Sequence, residues 1–101
     1  MASRHCVIDS SVFVAFYRDI DALHRDALRV MQELSSDVLI VHPYVIQETA
    51  TVLTYGVGLP VAKKFLTDIT TASNIIIPPL NIQQDIKLFS YSRAKLSFTD
   101  V

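Results

Sequence analysis

Three acidic residues occupy positions from which they could do chemistry: Asp9, Glu48 and Asp100. Asp9 directly follows an apolar run at residues 6–8, and Glu48 lies early in a helical pattern after a second apolar run at residues 38–41. Asp100 lies in a further helix-start signal. Parallel strands joined by right-handed crossovers bring such points to one edge of a sheet. We therefore expect the three carboxylates to converge.

Converging carboxylates repel one another unless a cation neutralises their charge. Hard oxygen ligands without nearby His or Cys favour Mg²⁺ or Mn²⁺. Such a cation, placed against a phosphate group, activates water and neutralises charge during phosphodiester hydrolysis. The three acids therefore predict a metal site suited to phosphate chemistry.

Each of the three acids also has a structural interpretation. Asp9 is equally well explained as a helix N-cap, and Asp100 fits a capping box that starts at Ser97. Glu48 falls on the flank of an apolar helical arc, where a partly buried glutamate needs a partner, and it is also explained as a snorkelling or salt-bridged side chain. The other acids are interpreted as surface and cap residues: Asp19, Asp21, Asp26, Glu33, Asp37, Asp68 and Asp85.

Three short apolar runs, at residues 6–8, 38–41 and 75–77, predict buried strands. Amphipathic patterns between them predict two helices in each interval, and the second of these helices has an apolar pattern that starts at Ile20. Asn81 begins one more helix. The order β-α-α-β-α-α-β-α predicts an α/β fold with a central parallel sheet covered on both faces.

Four segments of the chain resemble motifs of the PIN domain family. The segment VIDSSV at residues 7–12 resembles the opening strand motif, and VIQET at residues 45–49 resembles the motif of the second acid. LSFTD at residues 96–100 resembles the third motif. HRDA at residues 24–27 is similar to the first long helix of the VapC-like branch.

The resemblance implies a three-layer α/β/α domain with Mg²⁺- or Mn²⁺-dependent ribonuclease activity, often the toxin of a toxin–antitoxin pair. Such proteins are commonly dimers, and a small antitoxin protein neutralises them. By the same resemblance, Asp9, Glu48 and Asp100 are the catalytic metal ligands. Hydrogen-bonding neighbours would be Ser10, Ser11 and Thr99. Separately, the nearby basic residues Arg93 and Lys95 are candidates for contact with the RNA backbone.

Family members continue past the third acid with a helix, one or two strands and usually a fourth acid. We therefore expect residues 1–101 to form a single PIN-like domain that is incomplete at its C-terminus. The alternative function is a non-catalytic PIN-like module that binds RNA or a protein. A weaker alternative is an unrelated α/β ligand-binding domain that does not respond to Mg²⁺ or Mn²⁺.

The amino-acid composition excludes several other classes of protein. A net charge of -1 gives no bulk attraction for nucleic acid, and a 50% hydrophobic content excludes a disordered polyelectrolyte. The single cysteine, Cys6, excludes an internal disulfide framework. No apolar run reaches membrane-spanning length, so a cytoplasmic protein is expected. The high mean hydropathy favours burial against a second copy of the chain, a partner or a missing piece of the domain, and a homodimer or higher oligomer is expected. Most Tyr and Phe residues are interpreted as core residues and not as base-stacking platforms.

Overall fold

A computed structural model describes residues 4–79 of the chain. Its sheet has three parallel strands in the spatial order β1-β2-β3. The strands are β1 (His5–Val7), β2 (Val38–Ile40) and β3 (Ile75–Ile76). Cys6 pairs in register with Leu39, which pairs in turn with Ile75.

Two helices occupy each interval between strands, as the sequence predicts. The helices are α1 (Ser10–Tyr17), α2 (His24–Glu33), α3 (Pro43–Gly56) and α4 (Leu59–Thr71). The predicted α/β class is therefore confirmed, together with the element order up to the third strand. The last predicted helix, from Asn81, lies outside the described residues. None of the described helices is long and apolar enough to cross a membrane.

The four helices and one face of the sheet enclose a single core. Ile8 and Val41 extend the face that carries Cys6, Leu39 and Ile75. The helices complete this core with Val12, Phe13, Val45, Leu53, Ala62, Phe65 and Ile69.

The start of α2 differs from the prediction. The apolar pattern began at Ile20, but the helix begins at His24, and Ile20 is 77% exposed. The Asp21 side chain accepts a hydrogen bond from the Leu23 amide at 2.8 Å and so holds a turn ahead of the helix. A His24 ring nitrogen lies 2.7 Å from the Ala15 carbonyl oxygen, which links α2 to α1.

An ion pair joins β1 and β2 at the amino edge of the sheet. Nη2 of Arg4 lies 2.9 Å from Oδ2 of Asp37, and the Arg4 amide donates to Oδ1 at 3.2 Å. These hydrogen bonds from Arg4 hold the pKa of the Asp37 carboxyl below its ordinary value. The ion pair holds β1 and β2 together at the point where their pairing begins.

Candidate active site

Asp9 lies where β1 leaves the sheet at its carboxyl edge. Its backbone is extended, and the residue is the N-cap of α1. Oδ2 of Asp9 accepts from the Ser11 hydroxyl at 2.9 Å and from the Ser11 amide at 3.4 Å. The cap interpretation of Asp9 is therefore correct for one of its two carboxylate oxygens.

The other oxygen of Asp9 is not explained by capping. Asp9 is only 1% exposed, and in the described part of the chain Oδ1 is buried without a hydrogen-bond partner. A buried carboxylate oxygen that lacks a partner costs free energy, and a bound cation removes that cost. The unsatisfied oxygen is therefore a position suited to a metal ion.

Glu48 lies on α3 and accepts a hydrogen bond from the Ser10 hydroxyl. Because Ser10 follows Asp9 directly, this contact brings the acid of α3 to the same sheet edge as Asp9. Glu48 is exposed, so the prediction of partial burial is wrong. The buried arc of α3 centres on Val45 and Thr49, and Glu48 projects beyond its flank.

The structure thus places two of the three predicted acids together. The third acid, Asp100, lies outside the described residues, as do Thr99, Arg93 and Lys95. Within residues 4–79, no group of three His, Cys, Asp or Glu side chains could hold a metal ion. The two carboxylates present still fit Mg²⁺, which usually binds one or two protein carboxylates together with water and phosphate oxygens.

An aromatic stack stands at the same edge and was missed by the sequence interpretation. His42 follows β2 and caps α3, because its Nδ1 accepts a hydrogen bond from the Tyr44 amide at 3.0 Å. The His42 and Tyr44 rings stack, with centroids 5.1 Å apart and planes 11° apart. Tyr44 is 53% exposed and Tyr55 is 88% exposed, so the interpretation of tyrosines as core residues is wrong for both.

One pattern in the sequence could have predicted that Tyr44 is exposed. Tyr44 precedes Glu48 by four residues, and Tyr55 follows Glu48 by seven, so the three share one side of α3. A helix side that carries an exposed acid is the side that faces solvent. That spacing therefore predicts exposed tyrosines on the helix that holds the second acid.

The parallel sheet, its helix pairs and two carboxylates at its carboxyl edge define an α/β domain with a candidate metal site. The chain belongs to the PIN domain family, whose sequence model matches residues 6–101. No curated protein sequence matches it significantly.

The fold is similar to a crystal structure of VapC20 from Mycobacterium tuberculosis, a Sarcin-Ricin loop cleaving toxin. The TM-score is 0.69 at 19% sequence identity. The match covers 85% of this chain and 65% of the toxin chain, so the chain spans slightly less than two thirds of that toxin's length. At this identity the similarity shows a common fold.

Proposed function

We propose that this PIN domain is a metal-dependent endoribonuclease of the VapC toxin type. The observation that carries the proposal is the buried Asp9 carboxylate, whose open Oδ1 lies at the sheet edge to which Ser10 brings Glu48. Family membership and the fold shared with a Sarcin-Ricin loop cleaving toxin support the same activity. The substrate is RNA, and the bond hydrolysed is a phosphodiester.

Asp9 and Glu48 would hold Mg²⁺ or Mn²⁺, with Asp100 as a third ligand from outside the described residues. The bound cation would supply charge neutralisation at the phosphate and an activated water molecule. Ser11 engages Oδ2 of Asp9 and so leaves Oδ1 for the cation. Ser10 orients the exposed Glu48 carboxylate, which otherwise has the rotational freedom of a surface side chain.

The charges of the site explain why a cation is required. Asp9 and Glu48 bring two negative charges to the place where an RNA phosphate must enter, and α3 contains no Lys or Arg. Unscreened, these carboxylates repel the phosphate. Besides the cation, we propose that Arg93 and Lys95 attract the RNA backbone. Thr99 would donate a hydrogen bond that supports the third acid.

The proposed partners follow from the toxin assignment. A small antitoxin protein would neutralise the nuclease, and the domain would act as a homodimer or higher oligomer. Among the described helices, exposed apolar residues on α3 and α4 offer surface for protein contacts: Val52, Leu59 and Leu66. A cytoplasmic location is part of the same proposal, because the RNA substrate and the antitoxin would meet the protein there.

The second candidate is a PIN-like module that binds RNA or protein without cleaving. The observation that favours it is that residues 4–79 contribute only two carboxylates to the site, fewer than a group of three. Such a module would keep its affinity when Asp9 is neutralised. Neutralising Asp9 therefore distinguishes the two functions.

The test is cleavage of a structured RNA in Mn²⁺, in Mg²⁺ and in EDTA. Asp9→Asn is the informative variant because Asn is as good an N-cap as Asp and removes only the charge. We expect EDTA to abolish cleavage and Asp9→Asn to reduce it at least about 100-fold, beyond the usual loss for a residue that merely supports a metal ligand. Glu48→Gln should also lose activity.

The matched control is Glu33→Gln, which neutralises an exposed glutamate on α2, away from the candidate site. Its cleavage rate should equal that of the wild-type protein. Cleavage that persists in EDTA, or in Asp9→Asn, contradicts the nuclease proposal. RNA binding by a folded protein that never cleaves favours the binding module.

A further inference from the structure

We infer that Tyr44 is a stacking platform for one base of the RNA substrate, next to the phosphodiester that is cut. This inference rests on the proposed function, because it assigns a substrate contact at the same site. It concerns a residue outside the metal-binding carboxylates.

The position of Tyr44 relative to Glu48 is the first argument. Tyr44 is the second residue of α3, and Glu48 lies four residues later on the same side of the helix. Residues at this spacing have Cβ atoms about 5–6 Å apart. A nucleotide whose phosphate approaches the Glu48 carboxylate therefore has its base within reach of the Tyr44 ring.

The orientation of the ring is the second argument. His42 is 2% exposed, and its hydrogen bond from the Tyr44 amide fixes it at the start of α3. Tyr44 stacks on His42 on one side and is still 53% exposed. The ring is thus held by a buried partner while a large part of its surface is open, so stacking a base costs little further side-chain entropy.

The chemistry of α3 is the third argument. The helix offers no cationic side chain to an RNA backbone, and its candidate ligand, Glu48, is negative. Base–aromatic stacking does not depend on charge, and it accepts any base because every base has a π-face. An exposed tyrosine is therefore the group on this helix best suited to hold a nucleotide beside the carboxylates.

The experiment uses a single-stranded RNA oligonucleotide that the wild-type protein cuts at one site. A series of oligonucleotides replaces one nucleotide at a time with an abasic site, and single-turnover cleavage in Mn²⁺ is measured for each. Tyr44→Leu removes the aromatic ring, and Tyr44→Phe keeps it. Tyr55→Leu is the matched control, since Tyr55 is 88% exposed on the same helix, about 16 Å further along its axis.

We expect Tyr44→Leu to slow cleavage of the intact oligonucleotide about five- to hundredfold, the range for loss of one base stack. One abasic position beside the cut should slow the wild-type protein equally. The two losses should not add, because each removes the same contact. Tyr44→Phe and Tyr55→Leu should behave as wild type, and all variants should show wild-type thermal unfolding.

Three results would overturn the inference. The first is cleavage by Tyr44→Leu at the wild-type rate. The second is a loss in Tyr44→Leu that adds to the abasic loss at every position. The third is an equal loss of cleavage rate in Tyr55→Leu. Each leaves the nuclease proposal standing, provided that the wild-type protein cleaves. Absence of any cleavage by folded wild-type protein instead removes the proposed function, and this inference falls with it.

Discussion

Two buried aspartates stand at opposite edges of the β1–β2 pair and differ in how their charge is met. Asp37, 5% exposed, directly precedes β2 at the amino edge and is paired with the Arg4 guanidinium at 2.9 Å. Asp9, 1% exposed, follows β1 at the carboxyl edge and is bound through Oδ2 by Ser11 alone among the described residues. The residue type and the burial are similar, but within residues 4–79 a cationic side chain pairs with Asp37 and none pairs with Asp9.

The difference separates a structural carboxylate from a candidate functional one. A buried carboxylate is tolerated when a cation and hydrogen bonds meet its charge, as they do at Asp37. At Asp9, the part of the chain that the structure describes binds Oδ2 through Ser11 and leaves Oδ1 without a partner. The buried oxygen without a partner lowers the stability of the metal-free chain, and metal binding restores that stability.

The largest predicted effect comes from neutralising each aspartate in turn. Asp9→Asn should lower RNA cleavage at least about 100-fold while thermal stability without metal stays the same or rises, because Asn keeps the N-cap. Asp37→Asn should lower the melting temperature, since it removes the charge that Arg4 meets, and should leave cleavage within about twofold. Equal losses of RNA cleavage in the two variants would contradict the distinction between a functional Asp9 and a structural Asp37.

A smaller effect is expected when Glu48 loses its hydrogen-bond donor. Ser10→Ala removes the hydroxyl that donates to the Glu48 carboxylate but leaves both acids in place. Residues that orient metal ligands typically contribute 10–100-fold, so cleavage should fall about tenfold and the Mn²⁺ concentration for half-maximal rate should rise. An unchanged metal requirement would show that Ser10 does not orient Glu48.

The smallest effect is the pH dependence of the Arg4–Asp37 pair. The pKa of Asp37 is lowered in the folded chain from its ordinary value of 3.8, so the pair's contribution is complete above that pH and is lost as pH falls through the lowered value. Arg4 is largely exposed, so the contribution is small and screened by salt. Denaturation of wild type and Asp37→Asn between pH 7 and 2 should give curves that converge below about pH 3.8. Parallel curves across that range would contradict the pairing.

The elements of the fold were largely predictable from the chain. Three apolar runs favour strands, while the Asp-Ser-Ser segment after the first run and Pro43 after the second favour a strand end or a helix start. All of these signals act locally. The start of α2 was not predictable in this way. The Asp21 side chain holds a turn ahead of the helix, and this turn includes residues that fit the apolar helical pattern. Ile20 therefore belongs to the turn and stays exposed.

The site was predictable only in part. The position of Asp9 at the carboxyl edge follows from the apolar run before it, but the division of its two oxygens between Ser11 and an open position depends on side-chain conformation. The exposure of Glu48 and Tyr44 depends on which side of α3 packs on the core. The apolar spacing indicates that side, but tertiary packing decides how far a residue on its flank, such as Glu48, is covered.

The most direct test of the central claim is thermal unfolding in a titration of Mn²⁺, for wild type, Asp9→Asn and Asp37→Asn. A cation that binds the folded chain and not the unfolded one stabilises the fold by RT ln(1 + [Mn²⁺]/Kd), so the melting temperature rises as Mn²⁺ is added. The melting temperatures of wild type and Asp37→Asn should rise with Mn²⁺, and that of Asp9→Asn should not. A rise in Asp9→Asn equal to that of the wild type would show that the open oxygen of Asp9 does not bind the metal.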